Sequence, residues 1–426
     1  MTQQILNNHV HRTLIGLFLL VVTGCASFTP MPLDQVPFME RAVTQVKGEV
    51  RVTAAVLSED ETEQVFDLDL YNKGIQPIWL EIENKSTQGY WFVRRGVDPD
   101  YFAPLEVAYM NHYAFSSDAN AQMDRFFYEI NLGNHIPPGS TRSGFVFTTL
   151  DEGTKSVSVD LFATDQQIRS YTFFIPVPGL KIDHREIDID AIYPSKEILR
   201  YTAEQEDEFR KAIESLPCCT TSKDGTEMGD PLNLVILGKE KSDDIYHAFM
   251  RAGWDETETI HAVSAFQTGI SALFGSEYRY SPVSALYVFD RPQDAAFQKA
   301  RGSIHLRNHL RLWITPIIFD GYEVWIGQIS RDIGVRFTTR TVTTHKIDPD
   351  VDEAREFLVE DLAYSHGLMK NAYVKGVGAA SIDEPRQNLT GDPYFTDGYR
   401  LAMWLSSRMV SITNIEFLDW ERPPER

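Results

Sequence analysis

Short runs in which apolar and polar residues alternate fill the chain from Gly48 to Pro178, and they constrain its fold more than any other feature. Alternation with a period of two is typical of β-strands that have one face in the core and one face in water. Turn-forming stretches such as Ile136-Pro-Pro-Gly-Ser140 separate the runs. The predicted strands cover residues 50–57, 75–84, 144–149, 156–163 and 168–175.

Strands of this length and spacing predict an immunoglobulin-like β-sandwich over residues 48–178. The sequence has no Cys-Trp-Cys core, so the name describes the architecture alone. Nothing in this region indicates chemistry, and its predicted role is that of a spacer or an interaction module. Beyond residue 178 the sequence contains helical as well as strand patterns, so the predicted fold class of the whole chain is α+β.

The pattern changes after Pro176-Val-Pro-Gly179, which we interpret as a linker. Beyond it, helical and strand patterns are segregated, which predicts a mixed α+β domain over residues 179–400 and a C-terminal tail over residues 401–426. Asp320-Gly321 joins two apolar-rich runs and predicts a hairpin. Asp348 and Asp350 are placed to cap a helix. Predicted helices cover residues 197–215, 243–252 and 350–366, and predicted strands cover 232–237, 285–289, 309–319, 322–330 and 335–346.

The N-terminus carries a short apolar run, Leu14 to Val22, that ends in Thr23-Gly24-Cys25. The run is too short to span a bilayer and is typical of a secretory signal. Val22-Thr-Gly-Cys25 resembles a bacterial lipobox, which implies a signal peptide over residues 1–24, lipid on Cys25 and a tether over residues 25–47. An ordinary signal peptide or an N-terminal anchor is the alternative.

Lipid on Cys25 predicts a protein of the bacterial cell envelope that is anchored to the membrane. Ala26 follows the cysteine where retained lipoproteins often carry Asp, so the outer membrane, facing the periplasm, is favoured.

The net charge argues against a nucleic-acid-binding protein. The chain has 40 Lys and Arg against 61 Asp and Glu, a net charge of −21, so we expect no nucleic-acid partner.

The remaining cysteines, Cys218 and Cys219, are adjacent. They could form a strained disulfide, remain two reduced thiols, link two molecules or contact a soft metal.

A cationic stretch stands out in this acidic chain, because no carboxylate lies between Asp294 and Asp320. Strand alternation places its polar members on one face, which we expect to be open to solvent. A two-residue turn at Asp320-Gly321 would pair Arg311 with Ser330 and His309 with Asp332. The candidate residues for binding an anion or for catalysis are His305, Arg307, His309, Arg311, Ser330, Asp332 and His345.

Three interpretations of these residues remain open. The arginines could bind phosphate or carboxylate through forked hydrogen bonds, or they could pair with acids of the same chain such as Asp348. His305 and His309 could join His345 as metal ligands, although strand spacing would separate the first two by about 13 Å. Ser330, His309 and Asp332 suggest a triad, but a serine on a paired strand usually lacks room to attack. We predict neither a cofactor nor a metal.

Several motifs, in order along the chain, resemble the LssY C-terminal domain. They are Leu216-Pro-Cys-Cys219, Gly229-Asp-Pro-Leu-Asn-Leu-Val235, residues 278–285, Phe297-Gln-Lys-Ala-Arg301, His309-Leu-Arg-Leu-Trp313, Gly327-Gln-Ile-Ser-Arg-Asp332, His345-Lys-Ile-Asp-Pro-Asp350 and residues 389–398. The resemblance implies a bacterial, envelope-associated domain with no assigned activity. Some relatives carry a phosphatase-like membrane module, whose Pro-Ser-Gly-His motif does not occur in this sequence, so phosphatase activity is not implied.

The sequence leaves open whether the protein is an enzyme. We expect a membrane-anchored lipoprotein with a binding or assembly role, whose partners are the membrane and an anionic small molecule or an envelope protein. The alternative is a hydrolase acting on a phosphorylated or anionic envelope compound, with Arg307 and Arg311 holding the anion and His309 transferring a proton. A metal-binding module is a third class.

Overall fold

The computed structural model describes residues 27–151, 153–163, 168–177, 187–239, 243–257, 285–303, 306–336 and 344–424. Contacts divide the chain into two units, Met1–Pro178 and Gly179–Arg426, which we call domain 1 and domain 2. The predicted signal peptide, Cys25 and His305 lie outside the described residues. Within the described part of the chain, no helix combines the length and apolar character needed to cross a bilayer.

Domain 1 is built from two antiparallel sheets. Its described strands are β1 (Val43–Lys47), β2 (Val50–Val56), β3 (Ile75–Asn84), β4 (Tyr90–Val93), β5 (His135–Ile136), β6 (Ser140–Thr149), β7 (Thr154–Ala163) and β8 (Ile168–Pro176). One sheet has the order β1-β2-β3-β6 and the other the order β5-β4-β7-β8. The five predicted strands correspond to β2, β3, β6, β7 and β8, so these predictions are confirmed.

The two sheets share one hydrophobic core. Val52 and Leu80 come from the first sheet, and Phe92, Val159 and Phe173 come from the second. All five side chains are buried, because alternation turns every second residue of each strand toward the opposite sheet. Both sheets therefore contribute side chains to one shared core.

Helices cover the other face of the first sheet, a feature that the sequence pattern did not predict. The described helices of domain 1 are α1 (Glu59–Phe66), α2 (Arg94–Val97), α3 (Pro104–Met110) and α4 (Ser117–Glu129). Residues of α1, α3 and α4 form this cover, whereas Val97 of α2 lies in the core between the sheets. Ser58 begins α1 with a capping box, in which its hydroxyl accepts from the backbone N–H of Glu61. Phe66 and Phe127 stack at 5.5 Å between ring centroids and pack against Phe145 of β6 in a second core.

The segment predicted as a tether packs onto domain 1 from its first described residues. Phe28, Val36 and Phe38 are buried in the second core, and short 3₁₀ turns span Leu33–Gln35 and Pro37–Arg41. Burying three large apolar side chains is favourable, at roughly 1.5–3 kcal/mol each. The stretch from Phe28 to residue 47 is therefore part of the folded domain, unlike the predicted tether over residues 25–47.

Domain 2 combines helices with a large mixed sheet, in agreement with the predicted α+β class. Its described helices are α5 (Ile189–Ile192), α6 (Glu206–Glu214), α7 (Asp243–Arg251) and α8 (Val351–Tyr364). Its described strands are β9 (Leu199–Tyr201), β10 (Cys219–Thr221), β11 (Met228–Pro231), β12 (Leu234–Gly238), β13 (Asp255–Glu256), β14 (Tyr287–Val288), β15 (Arg291–Pro292), β16 (Ala295–Ser303), β17 (Leu306–Phe319), β18 (Tyr322–Arg336), β19 (Thr344–Ile347), β20 (Leu368–Lys375), β21 (Arg386–Gln387), β22 (Pro393–Tyr394), β23 (Tyr399–Leu405) and β24 (Glu416–Phe417).

The large sheet runs in the order β13-β16-β17-β18-β12-β23-β20-β24, with β9 on β17 and β19 on β18. A smaller sheet has the order β11-β10-β14-β15. Helix α6 packs on one face of the large sheet through Phe209 and Ile213. On the opposite face, Phe249 of α7 stacks on Phe297 of β16 at 4.7 Å.

Two boundaries in domain 2 differ from prediction. The predicted helix over residues 197–215 contains β9 and then the shorter α6. The predicted tail over residues 401–426 instead contributes β23, which lies between β12 and β20 in the sheet, and β24. Leu401, Met403 and Leu405 are fully buried, so this part of the chain belongs to the core of domain 2. Asp350 caps α8 as predicted, with its carboxylate accepting from the N–H of Asp352 at 3.2 Å.

The predicted hairpin is confirmed at its turn and differs further along. Phe319 pairs with Tyr322, and both Asp320 and Gly321 have positive φ, as a type I′ turn requires. The register then shifts, because Ile318 pairs with Glu323 but Ile314 pairs with Trp325. Two extra residues therefore lie in β17.

Pro316 lies within the shifted stretch of β17 and explains the irregularity. Proline has no N–H to donate to a neighbouring strand, so in sheets it is found at edges and bulges. Thr315 donates its hydroxyl hydrogen to the carbonyl of Val324 at 2.7 Å, which satisfies one acceptor beside the bulge. As a consequence His309 pairs with Ser330 and Arg311 pairs with Gln328, in place of the predicted partners.

Candidate functional site

The candidate residues of β17 and β18 lie together on one face of the large sheet. Arg311 is paired with Gln328, and the next pair on the same face is Trp313 with Ile326. Trp313 and Ile326 pack with Leu232, which precedes β12. Because side chains alternate, Arg307 and His309 share the face of Arg311, and Ser330 and Asp332 share the face of Gln328. The polar cluster, as we use the name, consists of Gln298 of β16, Arg307, His309 and Arg311 of β17, and Gln328, Ser330 and Asp332 of β18.

His309 is at the centre of the polar cluster. Its Nε2 atom lies 2.8 Å from Oγ of Ser330, and its Nδ1 atom lies 3.4 Å from Oδ1 of Asp332. The second separation is too long for a well-formed hydrogen bond, but the carboxylate still attracts the ring electrostatically. With the ring proton on Nδ1, facing Asp332, Nε2 accepts from the Ser330 hydroxyl. Ser330, His309 and Asp332 are thus arranged in the order of a nucleophile, a base and an acid that orients the base.

The two arginines of the polar cluster contact amide side chains as well as acids. Arg311 donates from Nη1 to Oε1 of Gln328 at 2.8 Å, and Gln328 in turn donates to Oγ of Ser330 at 2.9 Å. Arg307 donates to Oε1 of Gln298, and its Nε lies 3.4 Å from Oδ2 of Asp332. These side-chain hydrogen bonds link β17 to both of its neighbours, β16 and β18.

The polar cluster is buried, so the expectation of a face open to solvent is wrong. Arg307, His309 and Arg311 are exposed by only 6–8%, and Ser330 and Asp332 by 1%. The cluster continues the buried apolar face of Trp313, and Asp230 of β11, in the smaller sheet, acts electrostatically on Arg311 and His309. Any ligand must therefore enter a closed site.

Burial controls the charge of the polar cluster. It lowers the pKa of His309 below its ordinary value of 6.5, against the opposing attraction of Asp332, so the ring is neutral at neutral pH. Burial also lowers the pKa of Arg307, and it lowers that of Arg311 to about 10 despite the attraction of Asp230 and Asp332.

Sequence reasoning missed Asp230, Gln298 and Gln328. Asp230 is in β11, interacts electrostatically with Arg311 and His309, and accepts a hydrogen bond from Asn388 at 3.1 Å. Burial raises its pKa, which the charge of Arg311 opposes. Gln328 precedes Ser330 by two residues, so alternation along β18 was a sufficient signal for it. Asp230 comes from a distant strand, and no local pattern reveals its position.

The remaining histidines are not part of the described geometry. His305 lies outside the described residues. His345 is in β19, where its backbone pairs with Val335. Among the side chains that the structure describes, no group of three or more His, Cys, Asp or Glu is arranged to hold a metal ion.

Cys218 and Cys219 lie elsewhere in domain 2, at the start of β10. Their Sγ atoms are 2.6 Å apart, and neither cysteine is in a disulfide. Cys219 pairs with Pro231, the residue after Asp230. In this structure both cysteines are free and their sulfur atoms are in contact, which is one of the four states that the sequence left open.

Residues 210–399 match the family model described as LssY C-terminus. The match lies entirely within domain 2 and includes both the polar cluster and the cysteine pair. Domain 2 therefore contains an LssY C-terminal-like domain, as the motifs indicated. A comparison with curated proteins finds no match to this chain.

Proposed function

We propose that this chain is a lipid-anchored protein of the bacterial cell envelope whose second domain binds an anionic group, a phosphate or a carboxylate, at the polar cluster. The proposed anchor is lipid on Cys25, with the outer membrane as the favoured location. The support for the anchor is the lipobox-like Val22-Thr-Gly-Cys25. Two or more acyl chains give durable membrane attachment, because each buried methylene contributes about 0.8 kcal/mol.

The anchor is tested in cells by comparing the full chain with its Cys25→Ser variant, with and without globomycin. We expect the wild-type chain to fractionate with membranes and its precursor to accumulate under globomycin, while the variant is released. Unchanged precursor size and unchanged fractionation would exclude lipidation.

For domain 1 we propose an immunoglobulin-like sandwich that acts as an interaction module. The strand order supports this assignment. If β2 to β8 are named A, B, C, C′, E, F and G, the sheets read A-B-E and C′-C-F-G, with β1 added beside A. No chemistry is proposed for this domain.

Anion binding is supported by the contrast between two kinds of buried arginine in domain 2. Arg355 of α8 is held by carboxylates, with Asp397 and Glu356 each at 2.8 Å. Burial acts to lower its pKa, but these ion pairs outweigh burial and raise it. For Arg311 and Arg307 the balance has the opposite sign, since burial dominates and the pKa is lowered.

For Arg307 and Arg311 the cost of burial thus outweighs the attraction of the acids around them, while both also donate hydrogen bonds to glutamine side chains. An entering anion would offset that cost through charge-assisted hydrogen bonds, and the Ser330 hydroxyl and neutral His309 offer further polar contacts. The single observation that carries the proposal is the placement of two guanidinium groups beside His309 and Ser330 on one buried face.

Calorimetric titration of the full chain with inorganic phosphate at constant ionic strength tests the proposal. We expect Arg311→Gln to weaken phosphate binding by about tenfold or more, the equivalent of about 1.4 kcal/mol. Arg422→Gln is the matched control, because the Arg422 side chain is 83% exposed and pairs only with surface Asp419 in the described contacts. Equal binding by the wild type and both variants, or no binding by any, would refute the proposal.

A second candidate function is a hydrolase for a phosphorylated or otherwise anionic envelope ester. The observation that favours it is the chain of contacts from Ser330 through His309 to Asp332. In this mechanism His309 takes the proton of Ser330 as its oxygen attacks the ester, and Asp332 stabilises the resulting imidazolium. His309 then gives the proton to the alcohol that leaves as the ester bond breaks, and a water molecule, deprotonated by His309, releases the remaining group from Ser330. Arg307 and Arg311 hold the anionic part of the substrate.

A panel of phosphoesters and carboxylic esters, incubated with the full chain, distinguishes catalysis from binding. The hydrolase hypothesis predicts turnover that Ser330→Ala and His309→Ala each abolish, while phosphate binding by Ser330→Ala persists. Turnover that survives in Ser330→Ala would remove Ser330 as the nucleophile.

A further inference from the structure

The cysteine pair combines one accessible thiol with one buried thiol in direct contact. The Sγ atoms of Cys218 and Cys219 are 2.6 Å apart. Cys218 is partly exposed, whereas Cys219 is 5% exposed. Cys219 is also fixed by the backbone, because it is the first residue of β10 and pairs with Pro231 of β11. A reagent from solvent would therefore meet Cys218 first.

Two fixed cations act on Cys218. Arg400 donates to the carbonyl oxygens of Leu216 at 2.9 Å and Pro217 at 2.6 Å, so its guanidinium is held against the residues that lead into the pair. Arg386 contributes a second positive charge and is itself held by the carbonyl of Val377 at 3.1 Å. Cations near a thiol favour its thiolate, which is the reactive form.

The two thiols differ in acidity. The hydrogen bond from Cys219, helped by Arg386 and Arg400, lowers the pKa of Cys218 to about 6. The same contact raises the pKa of Cys219, and burial adds to the effect. At neutral pH one sulfur is thus the thiolate and its neighbour the thiol, which is the division of roles found in attacking and resolving cysteines.

We propose that Cys218 and Cys219 form a thiol–disulfide exchange site that reacts with small-molecule disulfides, with Cys218 attacking and Cys219 resolving. The Cys218 thiolate attacks one sulfur of the disulfide, which releases one half as a thiolate and leaves a mixed disulfide on Cys218. The Cys219 sulfur, on losing its proton to the released thiolate, then attacks Sγ of Cys218 and displaces the second half. The two cysteines are oxidised to one disulfide, and the substrate disulfide is reduced to two thiols.

The product bond is reversible. A disulfide between neighbours closes a small ring, because the Cα atoms of consecutive residues are about 3.8 Å apart while disulfides prefer about 5.5 Å. Strained disulfides have higher reduction potentials and are readily reduced. The site is therefore a reactive centre and not a structural staple.

Oxidised glutathione is the probe, and the full chain carrying Cys25→Ser is the protein, so that the pair provides the only thiols. Intact mass of the folded protein should show loss of two hydrogens with no lasting glutathione adduct, and a thiol reductant should restore the original mass. In the same background Cys219→Ala should trap glutathione on Cys218, and Cys218→Ala should gain no adduct. Circular dichroism verifies that each variant is folded.

The pH dependence provides a second readout. Alkylation of Cys218 in the Cys219→Ala variant should lose the acid shift that the Cys219 hydrogen bond provides, because alanine has no donor, so its midpoint should lie at higher pH than the wild-type midpoint near 6. Arg386, Arg400, Cys219 and Tyr394 are the ionisable groups of the described residues that act on the pair. A stable adduct on the wild-type pair, no reaction of the folded protein, or identical midpoints would overturn the proposal.

Discussion

The Ser330 hydroxyl lies 2.8 Å from Nε2 of His309, and these two residues are directly paired between β17 and β18. Asp332 reaches the other side of the ring, at Nδ1, from one step further along the same face of β18. The imidazole is thus held between a hydroxyl and a carboxylate in the interior of domain 2. This arrangement leads to specific expectations for stability, pH dependence and ligand binding.

Replacing Asp332 by Asn should strongly destabilise the protein. The carboxylate is 3.4 Å from both Arg307 Nε and His309 Nδ1, and its removal leaves a buried guanidinium with less compensation. Breaking a buried ion pair in this way costs about 3–5 kcal/mol. Urea unfolding measures the loss. Asp419→Asn is the control, because Asp419 is 76% exposed and its replacement should change stability by less than about 0.5 kcal/mol. Equal effects of the two substitutions would show that Asp332 does not compensate the cluster.

Acidification should remove the stability that depends on neutral His309. Its pKa in the folded state is lowered, so below about pH 6.5 the unfolded chain takes up a proton that the folded chain resists. The contribution is complete above the unfolded pKa and is lost as the pH falls toward the folded pKa. The charged groups facing the ring are Asp332, Arg311, Arg307 and Asp230.

The comparison that isolates this effect is between the wild type and His309→Gln, unfolded by urea at about pH 7.5 and about pH 5.5. The stability advantage of the wild type should shrink at the lower pH. An advantage that stays constant or grows on acidification would mean that His309 is not held neutral.

Ser58→Ala should weaken the helical layer of domain 1. Ser58 accepts from the N–H of Glu61, and Glu61 accepts from the N–H of Ser58 at 2.8 Å, so the substitution removes one half of the capping box. Loss of such a cap costs about 1 kcal/mol. Chemical denaturation compares this variant with Ser195→Ala, an exposed position with no capping role, and no difference between them would contradict the capping role.

Much of the polar cluster could be predicted from sequence. When a predicted strand register is wrong by two residues, each side chain still lies on the predicted side of the sheet. The turn at Asp320-Gly321 correctly predicted the hairpin, but Pro316 introduces a bulge that shifts the partners of His309 and Arg311. The shift is even, so all the predicted side chains of β17 and β18 still share one face. An odd shift would have separated Ser330 from His309.

Burial could not be predicted in the same way. The stripe of Arg307, His309 and Arg311 has the composition of a solvent-exposed face, and sequence alternation cannot show what covers a strand. The cover comes from elements that are distant along the chain, such as β11 with Asp230. The helices of domain 1 were not predicted, although Ser58 and Glu61 at capping-box spacing are a local sequence signal for the start of α1.

The most direct test of anion binding is a crystal structure of the full chain, carrying Cys25→Ser, grown with inorganic phosphate. The account predicts phosphate inside domain 2, with oxygen atoms within hydrogen-bond distance of the guanidinium groups of Arg307 and Arg311. The contradicting result is an interior without phosphate at saturating concentration, in which Gln298, Gln328 and acids of the chain fill every contact of both arginines.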